Sequence, residues 1–344
     1  MTTQRHARAT RLAGFTLVEI LVVIVIIGLL AGLTTTVVVG ARRTVNNSII
    51  STQMAQLSMA LDEYKNRYGE YPPDLSDSDA VTRHLRKRWP RYRVDYDTFI
   101  NHVTLGCDLS SQQWGKSDTL TSIDEVGSGK HEWQIKSYVS SLIFWLGGLP
   151  DENGVPSGFY ASPKAPLGIT AEGTPLRRPG RAKREKPLFT FERKFLGAYA
   201  SSPDYDGDLP AYYPIDLDDL EGNTKSYIPA YCQGGYPIVY FRPTPNSPYG
   251  NALKKFYLAD DGNLNFVSCA TPYMRNFDNG TWYEEKRFQL IHPGADGMFG
   301  SNEQDSPRPG SPATQPKYNL TPEDADNLAN FVERGTLESE YVED

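Results

Sequence analysis

Twenty consecutive residues without a charge, Ile20 to Val39, constrain this chain more than any other feature. At ~1.5 Å per residue a helix over that run reaches ~30 Å, the thickness of a bilayer's hydrocarbon core. Hydropathy of this kind recurs nowhere else in the 344 residues, and the mean hydropathy of −0.49 is that of a water-soluble protein. The chain therefore reads as one apolar span with a soluble remainder rather than a polytopic membrane protein. Arg5, Arg8 and Arg11 precede the run, with no acid among the first fourteen residues. That asymmetry holds the N-terminal end in the cytoplasm and sends the rest across.

The junction before the run reads Gly14-Phe15-Thr16-Leu17-Val18-Glu19. An ordinary secretory signal carries its small-residue cleavage site after the apolar core, whereas this processing-like junction lies before it. Gly-Phe-Thr-Leu-Val-Glu followed by a Val/Ile run resembles the prepilin signature of type IV pilins and type II secretion pseudopilins. The resemblance implies that a prepilin peptidase cuts between Gly14 and Phe15, and that the new Phe15 terminus is N-methylated. It also implies a part for Glu19 in filament assembly, pairing with the Phe15 amine of a neighbouring subunit. The physics agrees: a carboxylate at a membrane edge is costly without a partner, and low dielectric strengthens its attraction to a cation. A Glu19 that merely snorkels to the interface is the structural alternative.

Gly28 and Gly32 form a Gly-x-x-x-Gly pair that permits close helix contact. Thr34, Thr35 and Thr36 stand where many relatives carry a proline; threonines are weak helix formers but keep the backbone donor. Beyond Arg42 and Arg43, the residues Val45, Ile49, Met54, Leu57, Leu61, Tyr64 and Tyr68 approximate one helical face. The helix is expected from Phe15 to about Tyr68, stopping at Gly69 with Pro72 and Pro73 beyond. Leu61-Asp-Glu-Tyr-Lys65, then Tyr68-Gly-Glu-Tyr-Pro72, is similar to the major pseudopilins of type II secretion. The close similarity covers roughly residues 10 to 75.

The fold class expected is α+β and pilin-like. A long N-terminal α-helix, its first half transmembrane, packs on a small antiparallel β-sheet head with a large loop-rich insertion. The parts are a leader (1–14), a transmembrane and filament-core helix (15–41), an amphipathic helix of the head (42–74), a variable insertion (75–227) and a β-sheet and calcium-loop region (228–344). Gly 29, Pro 25 and 21 tyrosines suit a loop-rich, partly β head. Within the insertion lie an amphipathic piece, Ser137 to Leu146, and a loop, Pro150 to Pro187. That loop carries Arg177, Arg178, Arg181, Lys183, Arg184 and Lys186, either a solvated cluster or a surface for an acidic partner. Tyr236–Arg242 reads as a strand. Lys255–Ala259 and Asn263–Val267 flank Asp260-Asp261-Gly262, a hairpin signal.

Leu290-Ile-His-Pro-Gly-Ala-Asp-Gly-Met-Phe-Gly-Ser-Asn-Glu-Gln-Asp305 is an acidic loop punctuated by glycines. Hard oxygen ligands on such a turn suit calcium. Major pseudopilins have a similar Gly-Ala-Asp-Gly calcium loop, and the resemblance implies Asp296, with Glu303 and Asp305, as metal ligands. A plain turn without metal is the alternative. Asp204-Tyr-Asp-Gly-Asp208 is a rival carboxylate cluster or an exposed turn. Glu323 to Phe331 reads either as a short helix capped by Thr321 or as an extension of the calcium site through Asp324 or Asp326.

Enzyme signatures are missing. Gly127-Ser-Gly-Lys130 lacks the first glycine and the Ser/Thr of a phosphate loop, and the five histidines are scattered. No catalytic residue is assigned. Cys107, Cys232 and Cys269 allow at most one internal bridge, and their spacing does not suit zinc. A formal charge of −7 argues against nucleic acid as a partner. The function expected is a structural pseudopilin polymerising through its N-terminal helix into a periplasmic filament for type II protein secretion. Its implied partners are the prepilin peptidase, other pseudopilins and an inner-membrane secretion platform. It would be single-pass in the inner membrane, with its head in the periplasm. The alternative is a minor type IV pilin-like protein for binding, adhesion or DNA uptake.

Overall fold

The computed structural model describes residues 17–111, 131–133, 138–151, 153–177, 182–202, 211–215, 225–244, 249, 254, 256–259, 266–276, 280–300, 324–332 and 335–338. The chain falls into two compact units, 1–46 and 47–344. Helix α1 covers Leu17–Tyr68. Glu19 sits in its first turn and Lys65 and Arg67 in its last, each complementing the helix dipole. It stops where the sequence signals: Gly69 adopts φ +80° and its N–H donates to Lys65 O at 2.6 Å, a left-handed C-terminal cap. Within the second unit Ile50, Met54, Leu57, Leu61 and Tyr64 form the buried stripe. The expected face is thus displaced at its start. Ile50 is buried, whereas Ile49 and Val45 are exposed, because steps of 3, 4, 3 and 4 back from Tyr64 reach Ile50.

Helix α2, Ser78–Arg88, starts at Asp77, whose carboxylate accepts from the N–H groups of Asp79 (2.9 Å) and Ala80 (3.0 Å). Its buried residues Val81, His84 and Leu85 fall on one face. Helix α3, Tyr96–Ser111, is opened in the same way by Asp95, which accepts from Thr98 N at 2.8 Å. Strand β1 is His131–Trp133, followed by a short helix α4, Ser140–Leu142, that widens into a π-turn over Ile143–Gly147. All of Val139 to Pro150 is buried, including the expected amphipathic piece up to Leu146. The 75–227 segment is therefore no appended flap. Leu85, Trp89, Tyr92, Phe99, Phe144 and Trp145 share one core with the α1 stripe.

Strands β2 (Leu196–Ser202), β3 (Ala211–Ile215), β4 (Lys225–Gln233), β5 (Tyr236–Pro237), β7 (Phe256–Ala259) and β8 (Phe266–Ala270) join β1 in a seven-stranded sheet of order β1-β4-β2-β3-β7-β8, with β5 on β4. The expected hairpin is there as the antiparallel pair β7/β8; its turn residues 260–262 lie outside the described residues. The sheet as a whole is mixed, not antiparallel throughout, because β1/β4 and β3/β7 run parallel. Each parallel pair needs a long crossover, which the intervening chain supplies. Strand β4 runs through residue 227, so strands on both sides of that position share one sheet.

A small antiparallel sheet does pack on the helix. It consists of β6 (Val239–Phe241), β11 (Gln289–His292) and β12 (Leu328–Ala329), while β9 (Met274–Asn276) and β10 (Thr281–Trp282) form a separate pair. Successive side chains of a strand point to opposite faces. Tyr240, Leu290 and Leu328 accordingly join the α1 core, whereas Val239, Phe241, Ile291 and Ala329 join a second core with Tyr199, Ile228 and Phe256. Two expectations change. Tyr236–Arg242 is interrupted at Ile238, giving two strands, and Leu328–Ala329 is a strand rather than part of a capped helix. Pairing of Leu328 and Ala329 with His292 and Ile291 outweighs the local helix signal.

Candidate assembly and loop sites

Gly14 and Phe15 lie outside the described residues. Glu19 is exposed on the first turn of α1. The apolar side chains that follow it up to Leu30 are all exposed, from Val22 at 47% to Leu29 at 63%. A continuous apolar surface of that extent is far beyond what a soluble monomer carries, and it calls for other apolar helices or lipid. A Cβ built on Gly28 or Gly32 meets nothing within 4 Å, so that face is open to a close neighbour. Among the described residues no helix is long and apolar enough to cross a membrane. The side chains of 33–40 are outside them, and Leu17–Gly32 alone spans ~24 Å at 1.5 Å per residue.

The acidic loop turns tightly at residues 294–297 after β11. Asp326 ties it down: its Oδ2 accepts from Ala295 N at 2.8 Å and Asp296 N at 3.1 Å. Asp296 Oδ1 accepts from Met298 N at 2.8 Å. Gly294 and Gly297 have φ of +64° and +78°, and a Cβ there would run into Asp326 and the Tyr236 ring respectively. Both glycines are required by shape as well as by backbone angle. Asp324 is buried, and its Oδ1 accepts from Tyr273 Oη and from Asn327 Nδ2 at 3.0 Å.

Two buried oxygens at this loop, Asp326 Oδ1 and Asn327 Oδ1, have no hydrogen-bond partner among the described residues. Orphaned oxygen donors beside a Gly-rich turn fit a hard cation better than a soft one. His292 is held through one ring nitrogen, and its Nδ1 is buried with no hydrogen-bond partner among the described residues. Its Nε2 donates to Gln233 O at 2.8 Å, and burial pushes its pKa down to about 4. Of the expected ligands, Asp296 is on the loop surface, while Glu303 and Asp305 lie outside the described residues. Asp204, Asp206 and Asp208 lie outside them too. Among the described residues no group of three or more His, Cys, Asp or Glu side chains stands arranged for a metal.

Charged residues that the sequence does not single out join α1 to the rest of the second unit. Arg88 donates to Tyr64 Oη (2.7 Å), Tyr64 O–H meets His84 Nε2 (2.7 Å), and His84 Nδ1 meets Glu70 Oε1 (2.7 Å). A neutral His84 protonated on Nδ1 satisfies every link. Its hydrogen bond to His84, aided by nearby cations, holds Glu70 down to about 2, and burial lowers His84. Arg242 reaches Glu70 at 3.3 Å, and buried Lys254 pairs with buried Asp74. Arg184, one of the basic cluster, is no solvated charge. Its guanidinium donates to Leu149 O (2.9 Å), Pro150 O (3.0 Å) and Ser157 Oγ (2.6 Å) and lies over the Tyr160 ring.

Comparison with known proteins fits this layout. Residues 11–35 match the prokaryotic N-terminal methylation motif. The chain is 37% identical over 145 residues to the type II secretion system core protein G of Aeromonas hydrophila, covering 96% of that protein and 37% of this chain. The chain belongs to the core protein G family. It is thus a type IV pilin-like pseudopilin of type II secretion, a structural family. Nearly a whole core protein G is accommodated in little over a third of the chain, and the rest is additional. No solved structure matches the chain.

Proposed function

We propose that this pseudopilin is made with a basic leader, cut between Gly14 and Phe15, N-methylated on Phe15, and polymerised through α1 into a filament outside the inner membrane. The observation that carries the reading is the joint one: a methylation motif at 11–35 leads into a helix whose apolar side chains are exposed. Such a surface is stable only against lipid before assembly and against sister helices after it. The prepilin peptidase, other pseudopilins and the inner-membrane platform follow as partners, and the head would stand in the periplasm. The subunit is structural and performs no catalysis.

Glu19 pairs with the amine of Phe15 on a neighbouring subunit and sets register. Removing one partner of a desolvated pair costs ~3–5 kcal/mol. Glu19→Ala should leave cleavage and membrane insertion intact and lower filament yield by at least about tenfold. Normal yield from the variant would refute the pairing. We also propose calcium at the 290–305 loop, with Asp296, Glu303 and Asp305 joined by Asp326. The unpartnered Asp326 Oδ1 and Asn327 Oδ1 support it.

A further inference from the structure

A cleft of about 470 Å³ opens between the last turn of α1 and the turn before β11, lined by Lys65, Glu70, Arg242, Glu285, Lys286 and Arg287. Past Arg242 and Thr244, which line both, it meets a hollow of about 80 Å³ lined by Asp74, Asp77, Arg83 and Lys254. Every acid on these walls is already engaged by the chain itself. Glu70 is held by His84 and Arg242, and Asp74 by Lys254 and the N–H groups of Ser76 and Arg242. Asp77 caps α2, and Glu285 accepts from Trp282 N at 2.9 Å. Three of the cations are not engaged in this way. Lys65, Arg83 and Lys286 are exposed and form no ion pair among the described residues. Arg86 and Lys87, exposed beside Arg83 on the same face of α2, add to the surplus. The Lys87 ammonium lies against Gly69, itself on the cleft wall.

A concave surface whose acids are satisfied and whose cations are not selects an anionic guest. The complementary charge is concentrated in this same chain. Asp216-Leu-Asp-Asp-Leu-Glu221 carries four acids in six residues, and no lysine or arginine occurs between Lys194 and Lys225. The segment follows β3 directly and lies outside the described residues. We propose that the cleft docks the acidic 216–221 segment of a second copy of this chain. A contact between two different patches is heterologous, so it repeats from copy to copy as a filament requires. The proposal takes its setting from the filament reading but involves neither α1 nor the leader, so its failure leaves cleavage and the Glu19 pairing standing.

Two differently tagged copies of the full chain, in detergent with a chelator present, test it. Capture of one copy by the other should be strong in low salt and weaken as salt rises, because exposed charges are screened. Reversing the cleft (Lys65→Glu, Arg83→Glu and Lys286→Glu) should lower self-capture at least about tenfold, and so should reversing the segment (Asp216→Lys, Asp218→Lys and Asp219→Lys). A mixture of the two reversed chains should recover it, because each offers the charge that the other has lost. That recovery separates a contact between copies from one within a chain. If either variant fails to fold, a peptide of residues 214–223 decides: an excess should release wild-type capture, and the same peptide with its acids replaced by amides should not. Wild-type capture indifferent to salt, a mixture no better than either reversed chain alone, or capture that the acidic peptide leaves untouched would each overturn the proposal.

Discussion

His84 shows how one buried side chain couples the helix to the remainder of its unit. Arg88 donates to Tyr64, Tyr64 to His84 and His84 to Glu70, and each atom keeps its role only while the imidazole is neutral. Burial lowers the His84 pKa, so the folded state binds fewer protons than the unfolded chain. Stability from this source is therefore complete above the ordinary histidine value of ~6.5 and is lost as pH falls through the lowered folded value. Glu70, held at about 2, adds a further loss from its ordinary 4.5 downward. Thermal melts should show a falling melting temperature below about pH 6.5, and His84→Gln should flatten the upper part of that fall. An unchanged slope in the variant would exclude His84 as its origin. At the acidic loop, calcium at 100 times its dissociation constant should stabilise the folded chain by ~2.7 kcal/mol. Asp326→Asn should remove that gain. Melting curves that coincide in calcium and chelator would leave the loop as a hydrogen-bonded turn held by Asp326.

Among the elements, the loop described over 149–151, 153–177 and 182–184 has one strong organiser. Arg184 gathers the carbonyls of Leu149 and Pro150 and the Ser157 hydroxyl at 2.6–3.0 Å. Arg184→Ala removes the one nitrogen, Nη1, that donates to Pro150 O and Ser157 Oγ, at a cost of ~1–3 kcal/mol, and Arg184→Lys should recover only part of it because an ammonium loses the planar contact with the Tyr160 ring. Urea unfolding would measure both; wild-type stability in the alanine variant would show the arginine to be incidental. In the sequence Arg184 is one of six basic residues with nothing to distinguish it. Only the fold brings residue 184 against residues 149–158. The elements set by local signals are legible, namely the α1 stop at Gly69, the stripe through Met54, Leu57, Leu61 and Tyr64, and the β7/β8 pair. Those set by distant partners are not. The pairing of β12 with β11 overrides a local helix signal, and the parallel β1/β4 and β3/β7 pairs have no mark in either strand.

As a whole molecule, the chain accommodates nearly a whole core protein G in little over a third of its length. Its relative's 96% maps onto 37% of it, and Trp89, Phe99 and Trp145, in the expected 75–227 insertion, share a core with α1. The methylation motif is legible in the sequence because it is a linear pattern, matched over residues 11–35. The loop site was readable only in part: Asp296 and the glycines signal a turn, but Asp326 enters from a separate segment. The central claim is that the chain functions only after loss of its leader. Mass spectrometry of the N-terminus, on protein extracted from membranes of peptidase-competent cells, tests it directly. The result predicted is an N-methylated Phe15 terminus, with the first fourteen residues gone. An intact Met1, or a terminus generated after Val39 as a secretory signal would give, would contradict the account.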